Sequence, residues 1–294
     1  MEKRTFLRKL TLGISAMSVQ NITSFSKSLA ELSETDYTMP ALFVGHGAPM
    51  YVLDENKYSL AWRKIGAGMP KPKAIISISA HWLTRGKTLV TAMPKPKTIY
   101  DFGNFDDRLF ELNYPASGAP QLAEEITKNV KYSPIHLDHD WGYDHGTWCV
   151  LYHMFPKANI PVIQLSIDYA RDADYHFQLA KELAYLRKRG VLIMGSGNIV
   201  HNLRLIKFQE ELMFDWAQEF DDRAKWLVDQ GDFQSLIKYR QLGQAAHLSI
   251  PTPDHYFPLM YTLGLKTSRD KISYPTEGIA YGSTSMRSVM FSET

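Results

Sequence analysis

Cysteine is nearly absent from this chain: Cys149 is the only one in 294 residues. That excludes an intramolecular disulfide and a thiolate metal cluster, so a metal here has to be held by histidine, carboxylate or water. An excess of one charge is also lacking. Lys and Arg number 33 against 31 Asp and Glu, for a formal net charge of +2. No basic block interleaved with aromatics occurs, which argues against a nucleic-acid partner. There is no internal repeat and no low-complexity segment. No apolar run is long enough for stable membrane insertion. Phosphate and nucleophile signatures are missing too: Gly195-Ser196-Gly197 has neither the spacing of a dinucleotide fingerprint nor that of a nucleophile elbow, and no Walker-type lysine follows it.

The N-terminus differs from the rest. Lys3-Arg4-Thr5-Phe6-Leu7-Arg8-Lys9 is basic, Leu10 to Val19 is mildly apolar, and Ser28-Leu29-Ala30 offers a small-x-small cleavage site. This is the layout of an export signal, and Lys3-Arg4-x-Phe6-Leu7-Arg8 resembles a twin-arginine signal with lysine in place of the first arginine. Residues 1–33 are therefore expected to be an export signal or a disordered extension. The first reading puts the protein in the periplasm, the second leaves it cytoplasmic. Residues 38–294 are expected to form a single catalytic domain.

That domain is organised around Ala41-Leu42-Phe43-Val44-Gly45-His46-Gly47, a short apolar strand that stops at a histidine between two glycines. Glycine permits an abrupt turn and a close ligand approach. The construction recurs. Ala74 to Ala80 runs into His81-Trp82, and Val191 to Met194 runs into Gly195-Ser196-Gly197-Asn198, with His201 just after. Ligands of open α/β sheets bind at the carboxyl ends of strands. Neutral imidazole is the commonest protein metal ligand, so three strand-end histidines point to a shared divalent metal. His255, stiffened between Pro253 and Pro258, is a fourth candidate ligand, or alternatively a cap for the helix that starts there.

Strand and helix patterns alternate along the chain. Strands are expected at Thr88–Ala92, Pro161–Ile167 and Met286–Phe291 as well as at the three histidine ends. Helices are expected at Tyr58–Ile65, from Pro120 to Val130, and over Thr147–Phe155, Asp174–Arg189 and Phe208–Gln230. Two long loops, Met93–Pro115 and Ser133–Gly146, interrupt them. The pattern predicts an α/β fold, a single domain with a central mixed sheet flanked by helices.

His145 is different in kind. It follows Asp144 at the start of a helix, where a neighbouring carboxylate could orient it as a general acid/base; alternatively Asp144 only caps the helix. His136 and His139 have ligand-like spacing but are expected on the surface. Cys149 is expected to be a buried small hydrophobe. Trp82, Tyr100, Phe102 and Trp148 are candidates to flank an aromatic substrate, and each is equally suited to core packing.

Several motifs occur in one order: Phe43-Val44-Gly45-His46-Gly47-Ala48-Pro49-Met50, Ser79-Ala80-His81-Trp82, Tyr100-Asp101-Phe102, Tyr114-Pro115-Ala116, Asp144-His145-Gly146-Thr147-Trp148, Pro161 to Ile167, Gly197-Asn198-Ile199-Val200-His201-Asn202 and Pro253-Asp254-His255-Tyr256. From Pro40 onward the chain thereby resembles the 4,5-DOPA extradiol dioxygenase-like proteins of the class III, LigB-type ring-cleavage dioxygenases. The resemblance implies a LigB-like fold with one divalent metal held by His46, His81, His201 and His255, and His145 as acid/base. It implies opening of a catechol such as 4,5-DOPA beside its hydroxyls, with O2 and non-haem Fe(II), to a muconic semialdehyde. Bacterial members have also been described as zinc proteins, and zinc is not redox-active. Many non-haem iron oxygenases use two histidines and a carboxylate; here Asp254 and Glu277 are the carboxylates that might join the set. The alternatives are a zinc hydrolase on the same histidines and a non-enzymatic member of the fold.

Overall fold

The computed structural model describes residues 32–207, 209 and 212–293. The export reading of the N-terminal segment, up to residue 31, lies outside them, as do Phe208, Glu210 and Glu211 of the expected longest helix.

Six strands form the central sheet: β1 (Ala41–Gly45), β2 (Ala74–Ser79), β3 (Val162–Gln164), β4 (Val191–Gly197), β5 (Lys271–Ser273) and β6 (Val289–Ser292). Their order is β5-β6-β1-β4-β2-β3. β1, β4, β2 and β3 run parallel, and β6 lies antiparallel between β1 and β5. The sheet is mixed, as the alternation of patterns predicted. β1, β2 and β4 are buried along their whole length, which is why they read as unbroken apolar runs rather than alternating ones.

The two faces still separate with a period of two. Phe43, Ile76 and Ile193 join one core with Leu179 and Leu183 of helix α4 (Ala173–Leu183) and Leu259 and Leu263 of α6 (Phe257–Gly264). Leu42, Ile75 and Leu192 join the other core, with Trp62 of α1 (Lys57–Gly68) and Trp148 and Leu151 of α3 (His145–Met154). Between them in sequence, α2 (Pro120–Asn129) and α5 (Asp215–Gln230) add Ile126 and Phe220 to the first core. Among the described residues, no helix is long and apolar enough to cross a membrane.

Several expected elements change at their ends. The run Pro161–Ile167 divides: β3 stays in the central sheet, while Ile167–Asp168 pairs with Leu83–Thr84. The switch falls at Ser166, whose amide donates to the Leu89 carbonyl (2.8 Å) and whose hydroxyl accepts from the Leu89 amide (2.8 Å). The helix expected over Asp174–Arg189 is α-helical only to Leu183 and tightens to a 3-10 helix over Ala184–Arg189, ending at Gly190 with φ +80°. α5 begins at Asp215 because Phe214 still donates its amide to the Gly282 carbonyl (3.1 Å), and Met213 bridges Gly282. Its buried stripe is Ala217, Phe220, Ala224, Leu227 and Val228; Trp216 is only partly covered and Leu212 precedes the helix.

The loop Ser133–Gly146 contains two short strands. Ile135–Asp138 pairs with Thr88–Thr91, and Gly142–Tyr143 pairs with Lys97–Thr98. The second pair matters for function. It aligns the chain just before Asp101 with the chain just before His145, and Ile99 continues the pairing by donating to the Tyr143 carbonyl (2.7 Å). A Cβ on Gly142 would stand 2.2 Å from the Lys97 carbonyl, so only glycine permits this approach.

Two buried histidines among the described residues, His153 and His176, sit outside the site. His176 of α4 packs its ring 4.5 Å from that of Phe257, and its Nδ1 is 3.1 Å from the Tyr261 hydroxyl. Burial pushes its pKa down to about 3. The unfolded chain binds this proton below about pH 6.5, whereas the folded chain does not until near pH 3. Stability is therefore lost as pH falls through that window, by up to about 1.4 kcal/mol per pH unit from this residue. Urea midpoints at pH 7 and pH 4.5 should fall less in His176→Phe than in the parent; equal falls would refute the assignment.

Candidate active site

β1, β4 and β2 are adjacent and in register at their carboxyl ends, with Gly45 opposite Gly197 and Ser196 opposite Ser79. The backbone pairing runs one residue past the strands. His46 donates its amide to the Gly197 carbonyl (3.1 Å), and Ala80 donates to that of Ser196 (3.0 Å). His46 and His81 are thus set on either side of the end of β4.

The segment carrying His255 closes over the same strand. Asn198 donates its amide to the His255 carbonyl at 2.8 Å. A Cβ on Gly197 would lie 2.1 Å from that carbonyl oxygen, and one on Gly195 would lie 2.3 Å from the Pro258 carbonyl. Gly195-Ser196-Gly197 is therefore neither a phosphate cradle nor an elbow, but a flat seat for the chain that delivers His255. Gly197→Ala is expected to lower stability by about 1–3 kcal/mol through overpacking against backbone. Denaturant titration checks it; an unchanged midpoint would refute the close-packing argument. His255 does not cap α6, whose N-cap position is Tyr256.

All five candidate histidines line one cavity of about 740 Å³. Ring nitrogens of His46, His81 and His145 lie within 4.8 Å of one another, and so do ligand atoms of His201, Asp254 and His255. The two groups adjoin: the His255 ring is 5.0 Å from that of His81 and 5.4 Å from that of His46. His201 stacks on His255 at 3.4 Å with 11° between the planes. The trio that includes His46 and His81 thus contains His145 in place of His201, which enters four residues past the end of β4.

Hydrogen bonds settle which ring nitrogens carry protons. The Ser196 hydroxyl is committed as donor to the Gly146 carbonyl (2.5 Å), so it accepts from His46 Nδ1 (3.0 Å). Ionised carboxylates only accept. Asp101 Oδ2 receives Nδ1–H from His145 (3.1 Å) and stands 3.3 Å from His81 Nδ1, and Asp254 Oδ2 receives Nδ1–H from His255. His46, His145 and His255 therefore present an unprotonated Nε2. This is the arrangement in which outer carboxylates and hydroxyls orient metal-binding histidines.

The Nε2 atoms of His46 and His81 stand 3.2 Å apart. With His46 Nδ1 protonated, its Nε2 offers a lone pair toward His81 Nε2, a close approach that one shared cation would bridge. Two nitrogens each about 2.0–2.1 Å from one ion are about 2.9–3.4 Å apart over the range of common coordination angles. A proton is a poor substitute. Burial first, and then the neighbouring imidazoles, push the pKa values of His46, His81 and His201 well down. The donor set fits a divalent metal.

Of the two readings of Asp144, orienting His145 or capping the helix, the structure shows the cap, and the orienting carboxylate is Asp101, to which the sequence assigned no role. Asp144 caps α3 by accepting from the Thr147 amide (3.2 Å) and takes a second bond from Gln164 Nε2 (2.7 Å). Asp101 instead grips His145 twice, at Nδ1 and at the amide (2.9 Å). Burial opposes ionisation of Asp101, but the His145 bonds outweigh it and hold its pKa below the usual value. Ser196 was missed as well; its signal was a polar side chain in an otherwise apolar strand end.

Other candidates fall outside the cavity. Glu277 pairs with Arg287 and Lys225 (3.2 Å to the latter). His136 and His139 are exposed, as expected. Cys149 is buried, and burial pushes its thiol pKa well up. Of the four aromatics proposed to flank a substrate, only Phe102 lines the cavity. Trp82 stacks on Trp141, Trp148 donates to the Ile99 carbonyl (3.0 Å), and Tyr100 donates to that of Leu112 (2.6 Å). Phe105 and Tyr281 line the cavity instead.

Strand-end histidines on a mixed sheet, with carboxylates behind them, make an α/β site whose donor set fits a divalent metal. The family described as the catalytic LigB subunit of aromatic ring-opening dioxygenase matches residues 40–292, and the chain belongs to that family. It is 46% identical over 256 residues to the 4,5-DOPA dioxygenase extradiol of Escherichia coli K12, covering 85% of this chain and 94% of that one. It is 34% identical over 248 residues to the protein of the same description from Beta vulgaris, covering 82% and 91%. A crystal structure of an uncharacterized Escherichia coli K12 protein superposes with a TM-score of 0.74 at 42% identity, covering 86% of this chain and 99% of that one. The protein is an extradiol ring-cleavage dioxygenase, an oxidoreductase that takes O2 and a small aromatic molecule. These findings favour ring cleavage over the hydrolase and the non-enzymatic readings.

Proposed function

We propose that this enzyme opens a catechol beside its two hydroxyls, with both atoms of O2 entering the semialdehyde product. In this reading His46, His81, His201 and His255 hold one divalent ion and His145 handles protons. The observation that carries it is the 3.2 Å separation of His46 and His81 Nε2, with the His46 Nδ1–H committed to Ser196 and His81 Nδ1 beside the Asp101 carboxylate. Fe(II) supplies a redox path between the aromatic ring and O2, whereas zinc supplies only charge and position. Iron is therefore the metal we assign to turnover.

The chain's own residues do the rest. Four neutral imidazoles leave the full charge of the ion in place, which favours an ionised catechol. His145 Nε2 faces the cavity with its lone pair free, ready to take a hydroxyl proton, while the Asp101 carboxylate stabilises the imidazolium that results. Phe102 meets the His145 ring edge-on at 5.6 Å. DOPA, named for the relatives, is one substrate to test.

The test is oxygen uptake with catechols including DOPA and caffeate. Protein is used as isolated, stripped, and reloaded anaerobically with Fe(II) or Zn(II). Uptake restored by iron with a yellow product is the expected result. Tight zinc binding with no uptake in any form would overturn it. We also propose, on the N-terminal sequence alone, that the enzyme is exported to the periplasm; cell fractionation showing it only in the cytoplasm would refute this.

A further inference from the structure

One continuous segment carries the cavity wall away from the histidines: Asp101, Phe102, Gly103, Asn104, Phe105 and Asp106 all line it. In an extended strand every second side chain would face away. Asn104 breaks that alternation at φ +59°, in the left-handed region that asparagine enters more readily than most residues. Backbone strain of this kind concentrates at ligand sites.

The segment ends on a carboxylate that the histidines do not use. Asp101 is committed to His145 and stands beside His81, whereas Asp106 is held by Arg108. Asp106 Oδ1 accepts from the Arg108 amide (3.0 Å) and Nε (3.1 Å), and Oδ2 accepts from Nη2 (2.8 Å). An ionised carboxylate has about four acceptor positions, so Oδ2 keeps a lone pair for a ligand. The Arg108 bonds also hold the Asp106 pKa below its ordinary value, so the group is charged at neutral pH.

Its surroundings favour a cation. Arg108 does not line the cavity and also faces Asp54 at 3.8 Å, so one guanidinium is set against two carboxylates. Among the described residues, no lysine or arginine lines the cavity. Arg204 and Lys207, next to the lining residues Leu203 and Ile206, are exposed and do not line it. The wall beside Asp106 is aromatic: Phe102 and Phe105 meet edge to face at 5.9 Å, and Tyr281 lines the same cavity. Ring faces attract cations, so the carboxylate and the aromatic rings select the same sign of charge.

Resting on the ring-cleavage reading above, we propose that Asp106 is a specificity-determining residue that binds an ammonium group carried by the side chain of the catechol, with Phe102 and Phe105 beside it. The ammonium donates to Oδ2, and a hydrogen bond between two charged groups is stronger than a neutral one. A catechol whose only side-chain charge is a carboxylate brings a second anion to this wall and is selected against. DOPA carries both charges, so a catechol amine without a carboxylate isolates the one that is read.

The experiment separates affinity from turnover. Zn(II)-loaded protein, which cannot turn over, is titrated calorimetrically with dopamine, with its uncharged isostere 4-propylcatechol, and with 3-(3,4-dihydroxyphenyl)propanoate. Fe(II)-loaded protein is assayed for oxygen uptake with the same three compounds. We expect dopamine to bind at least about fivefold more tightly than 4-propylcatechol, the scale of a well-formed ion pair open to solvent, and the propanoate to bind least tightly. The same order is expected in kcat/KM, through KM rather than kcat. Asp106→Asn keeps an oxygen for the Arg108 amide and should bring the dopamine-to-propyl affinity ratio to about one. Asp106→Lys should place the propanoate ahead of dopamine. A parent that binds dopamine no more tightly than 4-propylcatechol would overturn the proposal, as would an Asp106→Asn ratio equal to that of the parent. If the affinity order and its dependence on Asp106 hold but no catechol is cleaved with iron, the ring-cleavage reading fails and the Asp106 assignment stands. Cleavage of all three without regard to side-chain charge leaves ring cleavage standing and ends the Asp106 assignment.

Discussion

His46→Ala should lose the metal and, with it, turnover. His46 leaves the end of β1 with its ring locked by the Ser196 hydroxyl, which is itself locked by the Gly146 carbonyl. Removing the ring removes one of the two nitrogens that face each other at 3.2 Å and opens a buried gap at the centre of the five histidines. Losing only an outer partner of a metal ligand commonly costs about 10–100-fold in affinity or activity. Losing the ligand itself should cost more, at least about 10³-fold in kcat/KM, with metal content falling well below that of the parent after dialysis. Ser196→Ala tests the support alone, and a loss of about 10–100-fold in metal affinity is expected. Parent-like metal content and turnover in His46→Ala would remove the central assignment.

His145→Ala is the second large effect, and its signature should differ. A positioned acid/base contributes about 10²–10⁴-fold. We therefore expect kcat to fall by that factor while the ion stays bound by the remaining histidines. Asp101→Asn is the informative partner. It keeps the shape but replaces one of the two accepting oxygens by an NH2 group that cannot accept, so the His145 amide and Nδ1–H are no longer both satisfied, and it no longer stabilises an imidazolium. Because Asp101 also supports His81, Asp101→Asn should lower metal affinity as well as kcat, whereas His145→Ala should lower kcat alone. Loss of metal in His145→Ala would instead make His145 a ligand, consistent with its ring nitrogen lying within 4.8 Å of those of His46 and His81. Full turnover in that variant would end the acid/base reading.

The contrast between Asp144 and Asp101 shows what kind of information each level holds. Asp144 is adjacent to His145 in the chain, and adjacency suggested partnership. A residue just before a helix, however, has its side chain drawn to the unpaired amides of the first turn, and Asp144 went to Thr147. Asp101 is 44 residues away. It reaches His145 only because Lys97–Thr98 pairs with Gly142–Tyr143, two short strands with no periodicity long enough to read. The loop Ser133–Gly146 therefore looked irregular in sequence while holding the register that builds the site.

Similar reasons decided the aromatics. Trp82, Tyr100 and Trp148 have polar tips that found backbone or stacking partners inside the protein, so they became core. Phe105 and Tyr281 come to the cavity from loops, where hydrophobic pattern carries no directional information.

By itself the sequence determined the buried strands, the mixed α/β architecture, and the delivery of His46 and His81 to one sheet edge. Those depend on local apolar runs and on the glycines that end them, and strand ends are geometrically equivalent once the sheet forms. It also marked His145, His201 and His255 as candidates. Only the tertiary structure decided which carboxylate serves which imidazole, that Ser196 locks His46 across 150 residues, that Glu277 goes to Arg287, and that Phe105 and Tyr281 line the cavity. Proton positions and charge pairing depend on groups that meet through folding, and no short-range pattern in the chain encodes those meetings.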